Sequence, residues 1–351
     1  MKTVFVLQSL RKGGAERVVS LLSRSFEKKG HKVTIVLFRK EIEYEYGGEI
    51  LSLDSPPANS RILKIFRFAK RIYKLKKILA KKRADVVFSF VESSNFVSVL
   101  TGEDVIVSVR NNPLKKHQSW QRFLIKMLYN RSNVKKVVAV SKEIENILKD
   151  DFSLKRVVSI ANPLVFDEDE RTEEDLGVYS PFILAVGRLH RQKNFEMLIE
   201  AFSKSKVSKS AKLLILGEGE ERENLERLIK RRELFDKVFL MGKVDNVKDF
   251  YKQAKIFVLS SRFEGFPNAL CEALGFGVPS VSTDCPTGPN ELISSGVNGL
   301  LVPNEDENAL KEAIERLYFD EKLQDDFKKE AKKSVRHLEV NKIAEKWLEI
   351  A

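Results

Sequence analysis

The chain has 351 residues, with 62 Lys and Arg against 50 Asp and Glu, and 43% of its residues are apolar. This length suits about two domains, and apolar residues along the whole chain exclude a disordered protein. The two cysteines, Cys271 and Cys285, lack CxxC spacing, which excludes a disulfide framework and a structural zinc site and suits a reducing cytoplasm.

The charge is divided unevenly along the chain. Residues 1–165 contain 33 Lys and Arg and 15 Asp and Glu, a net charge of +18, whereas residues 166–351 have a net charge of −6. The asymmetry indicates two domains, and the basic half points to an anionic partner: nucleic acid, an acidic membrane surface or a phosphate-bearing substrate. The first apolar run is too short for a signal peptide, and no apolar stretch is long enough to predict a membrane span.

Strand-like apolar runs alternate with helix-length segments, the pattern of parallel sheets with helices on both faces. The predicted strands are 3–7, 32–38, 85–90, 104–109, 136–140 and 157–160 in the first half, and 182–187, 212–217, 237–242, 256–261, 279–283 and 299–303 in the second. The acidic stretch 162–177 interrupts this pattern, and 305–350 is predicted to be helical. We therefore expect an α/β protein with two Rossmann-like, doubly wound domains facing each other across a cleft.

The predicted boundaries are a first domain at 1–165, a linker at 166–180, a second domain at 181–335 and a C-terminal helix at 336–351 that could pack back on the first domain. Ligands of open parallel sheets bind beyond the carboxyl ends of the strands, so the candidate residues are sought in those loops.

Gly13 and Gly14 follow the first strand and precede a helix, where a bare backbone can approach a phosphate or a sugar. The spacing is not GxGxxG, and Arg39 and Lys40 stand where an acid for an adenosine ribose would be sought. This argues against a dinucleotide site, and a tight turn without a ligand remains the alternative.

Arg188 and Lys193 lie in a loop that follows strand 182–187 and leads into a helix. A diphosphate is bound well by a guanidinium fork and an ammonium near a helix N-terminus. The alternative is a solvated basic loop.

Glu264 and Glu272 flank the start of a predicted helix, with Gly265 and Pro267 between them. Pro267 suits a first helical turn, so Glu264 is expected in the loop and Glu272 within the helix. One carboxylate could accept from sugar hydroxyls and the other from the vicinal hydroxyls of a ribose.

Five segments, in this order and spacing, resemble the retaining, nucleotide-sugar-dependent glycosyltransferases with the GT-B fold, glycosyltransferase family 4: GGAER, GRLHRQKN, LGEGEER, SSRFEGFPNALCEA and GVNGLLVP. The resemblance spans essentially the whole chain. Its most specific part is the Glu-x7-Glu element together with the preceding Arg-x4-Lys.

The resemblance implies that Arg188, Lys193 and Glu264 are catalytic, the two cations binding the donor diphosphate and stabilising its charge as it leaves. Glu272 would bind the nucleotide ribose, and Gly14 would let the first domain's backbone reach the donor. The implied substrate-binding residues are Gly13, Gly14, Arg110, Asn111, Gly187, Gly217, Gly265, Phe266, Asn268, Ala269 and Glu272. Such enzymes need no metal or other cofactor, which agrees with the lack of a DxD-like acidic pair.

Many relatives carry a histidine after the strand that corresponds to 104–109, and this chain has Arg110 there. Arginine cannot act as a base at neutral pH, but it could position the donor sugar or the acceptor. None of the four histidines is predicted to be catalytic. A retaining mechanism in which the departing phosphate deprotonates the acceptor hydroxyl needs no protein base.

Residues 61–83 contain eleven basic residues and no acid. Apolar residues recur there at helical spacing: Ile62, Ile65, Phe66, Ala69, Ile72 and Tyr73, with Leu75 and Leu79 nearby. This predicts an amphipathic basic helix with a buried apolar stripe. Its cationic face is either merely solvated or attracted to an anionic leaflet or a lipid diphosphate, to which each basic residue contributes on the order of 1 kcal/mol.

The sequence therefore predicts a cytoplasmic enzyme, peripherally associated with the inner face of the cell membrane, that moves a hexose or N-acetylhexosamine from a UDP-sugar to a polyprenyl-diphosphate-linked or cell-surface glycan. One alternative, a non-hydrolysing UDP-sugar epimerase, would need acid–base carboxylates and histidines that the motifs do not supply. The other, a nucleic-acid-binding protein, would explain the basic half, but 61–83 has few aromatic residues to stack on bases. We expect no nucleic-acid partner.

Overall fold

The computed structural model describes residues 1–11, 13–56, 60–166 and 174–351. These form two compact units, Met1–Pro163 with Leu338–Ala351, and Leu164–His337. Residues 167–173 of the predicted linker 166–180 lie outside the described residues. Each unit is built on a parallel sheet, which confirms the predicted α/β class.

The first unit contains a seven-stranded sheet. Its elements are β1 (Lys2–Leu7), α1 (Gly14–Lys28), β2 (Lys32–Leu37), β3 (Glu49–Ser52), α2 (Arg61–Lys82), β4 (Val86–Phe90), α3 (Glu92–Leu100), β5 (Val105–Val109), α4 (Pro113–Lys116), α5 (Ser119–Tyr129), β6 (Val134–Ala139), α6 (Lys142–Asp150) and β7 (Val157–Ser159). The strand order is β3-β2-β1-β4-β5-β6-β7. The order reverses between β1 and β4, so the loops after these two strands lie where open parallel sheets bind ligands.

The second unit contains a six-stranded sheet in the order β10-β9-β8-β11-β12-β13. Its elements are β8 (Phe182–Val186), α7 (Phe195–Lys204), β9 (Lys212–Leu216), α8 (Arg222–Arg231), β10 (Val238–Gly242), α9 (Val247–Gln253), β11 (Ile256–Leu259), α10 (Asn268–Gly275), β12 (Ser280–Asp284), α11 (Pro289–Leu292), β13 (Leu300–Pro303), α12 (Glu307–Phe319) and α13 (Glu321–Ser334). Here the order reverses between β8 and β11, the two strands that precede the Arg188 and Glu264 loops.

The chain returns to the first unit through α14 (Val340–Glu349), which packs against α1. Trp347 on this helix is fully buried. Its ring stacks on Phe90 and meets Phe88 edge-on, each at a centroid distance of 5.2 Å. Aromatic contacts of this kind anchor α14 on the sheet of the first unit.

Helix α2 differs from its prediction in the face that it buries. Four members of the predicted apolar stripe are 64 to 70% exposed, namely Ile62, Ile65, Phe66 and Tyr73. The buried face instead carries Leu75 and Leu79, which lie about half a turn around the helix from Phe66. The prediction of a buried stripe was therefore wrong for these four residues and right for Leu75 and Leu79. Regular spacing shows that a helix has an apolar face, but it does not show which residues of that face meet the sheet. Among the described helices, none is both long and apolar enough to cross a membrane.

Candidate active site

In the second unit the loops after β8 and β9 touch through their backbones. The Gly187 amide donates to the Leu216 carbonyl at 2.9 Å, and the Leu189 amide donates to the Glu218 carbonyl at 3.0 Å. Gly217 has φ +137°, and a Cβ there would lie 1.9 Å from the Gly187 carbonyl oxygen. Only glycine fits this approach, so Gly217 sets the position of the loop that carries Arg188 and Lys193.

Lys193 and Glu264 are brought together from the loops after β8 and β11. Lys193 Nζ lies 2.6 Å from Glu264 Oε1, and the two side chains are 18% and 6% exposed. The Lys193 stem passes over Gly187, where a Cβ would stand 3.0 Å from Lys193 Cε. The glycine thus leaves room for the lysine to reach the carboxylate.

Glu264 is fixed from several directions. Its Oε1 also accepts from the Ser261 hydroxyl at 2.6 Å, and its carbonyl accepts from the Thr287 hydroxyl. Its amide donates to the Pro286 carbonyl at 3.1 Å. The Glu264 charge also acts on the nearby Cys285 thiol, whose pKa is raised to about 12, mainly by burial and secondly by this charge. A carboxylate held this firmly offers a preorganised acceptor for ligand hydroxyls.

Arg188 is not paired with Glu264 in this structure. Its guanidinium donates to Glu220 Oε2 at 2.8 Å, and Glu220 Oε1 lies 3.3 Å from His190 Nε2. The Arg188 side chain is 68% exposed, so it is free to reorient towards a ligand. Sequence reasoning missed Glu220 as its partner, although the LGEGEER segment contains it.

Glu272 lies on α10, where the Tyr251 hydroxyl shares a hydrogen bond between the Ala269 carbonyl at 3.1 Å and Glu272 Oε2 at 3.2 Å. Tyr251 itself stacks on Phe276 at 5.4 Å. The tyrosine therefore orients the carboxylate, and it too was missed from the sequence.

The start of α10 carries the remaining candidates of this unit. Gly265 and Phe266 are buried in the preceding loop, and Asn268 and Ala269 are half-buried in the first turn. The first turn of a helix leaves backbone N–H groups without partners inside the helix, and these favour an anion. The second unit thus combines a lysine, an exposed arginine, two carboxylates and a helix N-terminus at the carboxyl edge of one sheet.

In the first unit, Gly13 is the extended residue before α1, and the Glu16 carboxylate folds back over it. A Cβ on Gly13 would lie 2.4 Å from Glu16 Oε2. Burial raises the pKa of Glu16, against the opposing effects of its own amide and of the Arg110 charge. Gly14, the first helical residue, is exposed. The glycine turn is therefore next to an acid that the sequence analysis did not single out.

Arg110 is buried directly after β5, and its positive charge interacts with the negative charge of Glu16. Its guanidinium donates to the Ser108 hydroxyl at 3.2 Å and to Asn162 Oδ1, and it lies over the Phe90 ring at 5.7 Å. Burial lowers its pKa to about 9, with Glu16 opposing the shift. Arg110 therefore keeps its proton at neutral pH and cannot act as a base there.

The sequence analysis also missed Glu92, an acid that is buried. It begins α3 directly after β4, and its Oε1 lies 3.3 Å from Nε2 of His117, with both side chains buried. Val91 before it has φ +72°, an unusual value for a β-branched residue. Asn111, in the loop between β5 and α4, is half-buried. Nothing in the sequence pattern pointed to the pairing of Glu92 with His117.

The predicted residues thus fall into two groups, Arg188, Lys193, Glu264 and the α10 residues in the second unit, and Gly13, Gly14, Arg110 and Asn111 in the first. Within the described ranges, no three His, Cys, Asp or Glu side chains are grouped in a way that could hold a metal ion.

Solved structures share this architecture over the full chain. Sucrose-phosphate synthase from Thermosynechococcus elongatus superposes with a TM-score of 0.86 and 20% identity, covering 100% of this chain and 98% of that one. HepE from Anabaena in complex with UDP-glucose gives a TM-score of 0.84 and 18% identity, covering 99% and 98%. At these identities the likeness establishes the fold, which is GT-B.

The family model described as Glycosyltransferase Family 4 matches residues 12–167, and that described as Glycosyl transferases group 1 matches residues 166–334. Two Campylobacter jejuni enzymes are 31% identical to the chain. One is the GalNAc-α-(1→4)-GalNAc-α-(1→3)-diNAcBac-PP-undecaprenol α-1,4-N-acetyl-D-galactosaminyltransferase, with 100% of this chain and 98% of that protein covered. The other is the N-acetylgalactosamine-N,N'-diacetylbacillosaminyl-diphospho-undecaprenol 4-α-N-acetylgalactosaminyltransferase, with 96% of each covered. Similarity of this extent, joined to the two family models and the fold, shows that the chain belongs to the GT-B glycosyltransferases of family 4.

Proposed function

We propose that this glycosyltransferase transfers a hexose or N-acetylhexosamine from a UDP-sugar, with retention of configuration, to a glycan carried on a polyprenyl diphosphate. The proposed acceptor rests on the full-length similarity of this chain to two enzymes that are named for acceptors linked to diphospho-undecaprenol. Both of those enzymes are named as N-acetylgalactosaminyltransferases, so an N-acetylhexosamine is the first donor sugar to test.

In this proposal the second unit binds the donor. A departing nucleoside diphosphate gains negative charge, and preorganised cations stabilise that charge more in the transition state than in the ground state. Lys193 and Arg188 would contact the oxygens of the diphosphate. Lys193 now pairs with Glu264 and Arg188 with Glu220, and each cation would either keep this partner or exchange it for the phosphate. The solved complex of HepE with UDP-glucose supports UDP as the nucleotide.

The two glutamates would divide the rest of the donor. Glu272, oriented by Tyr251, would accept from the ribose hydroxyls. Glu264 would accept from donor-sugar hydroxyls, and the amides at Gly265 and the start of α10 would contact sugar and phosphate. Tethering of both carboxylates supports these roles, because an acceptor that is already oriented loses little entropy on binding.

The first unit would orient the acceptor and the transferred sugar. Arg110 keeps its proton at neutral pH, so the base is taken to be the departing phosphate. As the anomeric carbon–phosphate oxygen bond breaks, the acceptor hydroxyl forms the new bond to the same face, and its proton passes to the phosphate oxygen. Gly13, Gly14 and Asn111 would leave room for the donor or bind hydroxyl groups.

The proposal includes peripheral association with the cytoplasmic face of an anionic membrane, because the acceptor lipid resides in a bilayer. The region 61–83 supports this with eleven basic residues and no acid. The exposed apolar residues near the start of α2 add to the support, because a basic helix with exposed apolar groups suits a lipid interface.

The experiment is a panel of UDP-, GDP- and ADP-sugars incubated with and without an undecaprenyl-diphosphate-linked oligosaccharide. Release of nucleotide is followed by mass spectrometry, and the anomeric configuration of the product is read by NMR. We expect acceptor-dependent release of UDP and an α-linked product from an α-linked donor. Acceptor-dependent turnover of only GDP- or ADP-sugars, or an inverted product, would contradict the proposal.

A further inference from the structure

Helix α5 presents large apolar side chains to solvent. Trp120, Phe123 and Met127 are 58%, 66% and 49% exposed. Their i, i+3, i+7 spacing places them on one face, while Ile125 and Leu128 on the other side are buried. The helix therefore buries one apolar face in the first unit and leaves a second one, here called the α5 face, facing outwards.

The segment of sequence that contains α5 carries charge of one sign. Residues 105–142 contain nine Lys and Arg and no Asp or Glu. Lys115, Lys116, Lys126 and Arg131 among them are exposed. An apolar face within a basic rim complements a surface that is apolar inside and anionic outside.

The α5 face is not isolated, because α2 and α5 both pack against α3. Helix α2 exposes its own apolar residues, Ile62, Leu63, Ile65 and Phe66, between basic ones. The two helices on α3 thus have the same unusual combination of exposed apolar groups and lysines.

We propose that the α5 face inserts into the interfacial layer of an anionic lipid bilayer and acts with α2 as a second membrane contact. Tryptophan suits that layer, since it joins an apolar ring to a polar N–H, which in Trp120 donates to Gln118 Oε1 at 3.0 Å. Stable anchoring of a peripheral protein commonly needs two signals, and α2 with α5 supplies them. This inference rests on the proposed membrane association and names a contact that α2 alone does not include.

Charge favours a bilayer over a second copy of the chain. In a two-fold dimer the same patch meets itself, so the basic rim of one copy would face the basic rim of the other. Like charges brought together in this way disfavour association. An anionic headgroup layer instead neutralises the rim while the acyl boundary receives Trp120, Phe123 and Met127.

The chain has two tryptophans, which makes the test direct. Trp120 is exposed, and Trp347 is fully buried and provides a constant background. The full-length protein is titrated with phosphatidylglycerol–phosphatidylcholine vesicles and, separately, with phosphatidylcholine vesicles alone. We expect a blue shift of emission and quenching by brominated acyl chains with the anionic vesicles only, both lost in Trp120→Phe.

Binding is then measured by vesicle co-sedimentation for the double variant Phe123→Ser/Met127→Ser. Its matched control is Phe235→Ser/Phe319→Ser, which removes two similarly exposed aromatic residues from the second unit. Removing two inserted apolar side chains should weaken vesicle binding at least about tenfold, with the control unchanged. Circular dichroism and UDP-sugar hydrolysis verify that both variants are folded.

No spectral change at Trp120, or equal vesicle binding by the α5 variant and its control, would overturn the inference. Lipid-free dimerisation that Phe123→Ser/Met127→Ser abolishes would also overturn it, by assigning the face to a second copy. None of these measurements uses the glycan acceptor, so the inference can fail while the proposed transferase activity stands.

Discussion

Lys193 and Glu264 form a largely buried ion pair, with Nζ 2.6 Å from Oε1, although they are 71 positions apart in the chain. The pair joins the loops that follow the two strands at which the sheet order of the second unit reverses. In the proposed donor site Lys193 would lose little conformational entropy on binding a phosphate, because the ion pair already orients its ammonium. Glu264 in turn keeps the charge balanced while the site is free of donor.

If Lys193 and Arg188 bind the donor as proposed, loss of either cation should lower turnover while the fold is retained. Lys193→Met keeps the stem that crosses Gly187, and Arg188→Gln alters a side chain that is 68% exposed. Each should reduce kcat/KM by about 30- to 150-fold, or ~2–3 kcal/mol of transition-state stabilisation. Steady-state kinetics with the preferred UDP-sugar measure the loss.

Arg191→Gln is the matched control, because Arg191 belongs to the same loop and is 83% exposed. It should behave like the wild type. Kinetics close to wild type in both Lys193→Met and Arg188→Gln would remove these residues from the donor site.

The two glutamates should separate in their effect on UDP. If Glu272 binds the ribose, Glu272→Gln weakens UDP binding, whereas Glu264→Gln spares UDP and reduces discrimination among donor sugars. Tyr251→Phe removes the hydroxyl that orients Glu272 and should give a smaller loss in the same direction. Calorimetric titrations with UDP and with intact UDP-sugar distinguish the cases, and equal losses of UDP affinity in both glutamate variants would show that the roles are misassigned.

Much of the fold could be predicted because apolar runs mark buried parallel strands directly. Every predicted strand overlaps a strand of the structure, whereas β3 was missed, since Glu49–Ser52 is short and only half-buried. The side-chain pairings were less accessible. Glu220 beside Arg188 depends on the approach of two loops across Gly217, and Glu16 beside Arg110 depends on the order of β1, β4 and β5, which local sequence does not specify.

The stability of the first unit should depend on pH through Glu16. Burial raises the folded-state pKa of Glu16 above the reference value of 4.5. Well below pH 4.5 the Glu16 carboxyl is neutral in both the folded and the unfolded protein. As the pH rises from 4.5 through the raised folded-state pKa, the unfolded protein loses this proton first, so the free energy of unfolding decreases. Glu16→Gln should therefore be more stable than the wild type at pH 7 and equally stable at pH 4, as measured by urea unfolding.

The exposed Glu103 in the same unit provides the comparison, and Glu103→Gln should leave stability unchanged at both pH values. A Glu16→Gln variant less stable than the wild type at pH 7 would mean that attraction to Arg110 outweighs the effect of burial. If Glu16→Gln is more stable at pH 7, as expected, and is also less active, then Glu16 serves the activity of the protein at a cost in stability.

Charge on α2 should contribute to vesicle binding independently of the α5 face. Replacing Lys70, Lys76, Lys77 and Lys81 with Gln removes four exposed charges. Lys74 is left in place, because its ammonium donates to the Leu53 carbonyl at 2.6 Å and holds the helix on the unit. Binding to anionic vesicles should weaken by ~4 kcal/mol at most, and by less at physiological salt, where the Debye length is about 8 Å.

The matched control removes four exposed lysines from α13 in the second unit, Lys322, Lys328, Lys329 and Lys332. The control changes the net charge by the same amount. If only the α2 variant loses vesicle binding, the position of the lysines matters and not the total charge of the protein. Activity on the lipid-linked acceptor should fall with vesicle binding, while slow hydrolysis of the donor by water should not change. Equal vesicle binding in the two variants would assign the basic face of α2 to solvent, and the membrane contact would then have to rest on apolar insertion alone.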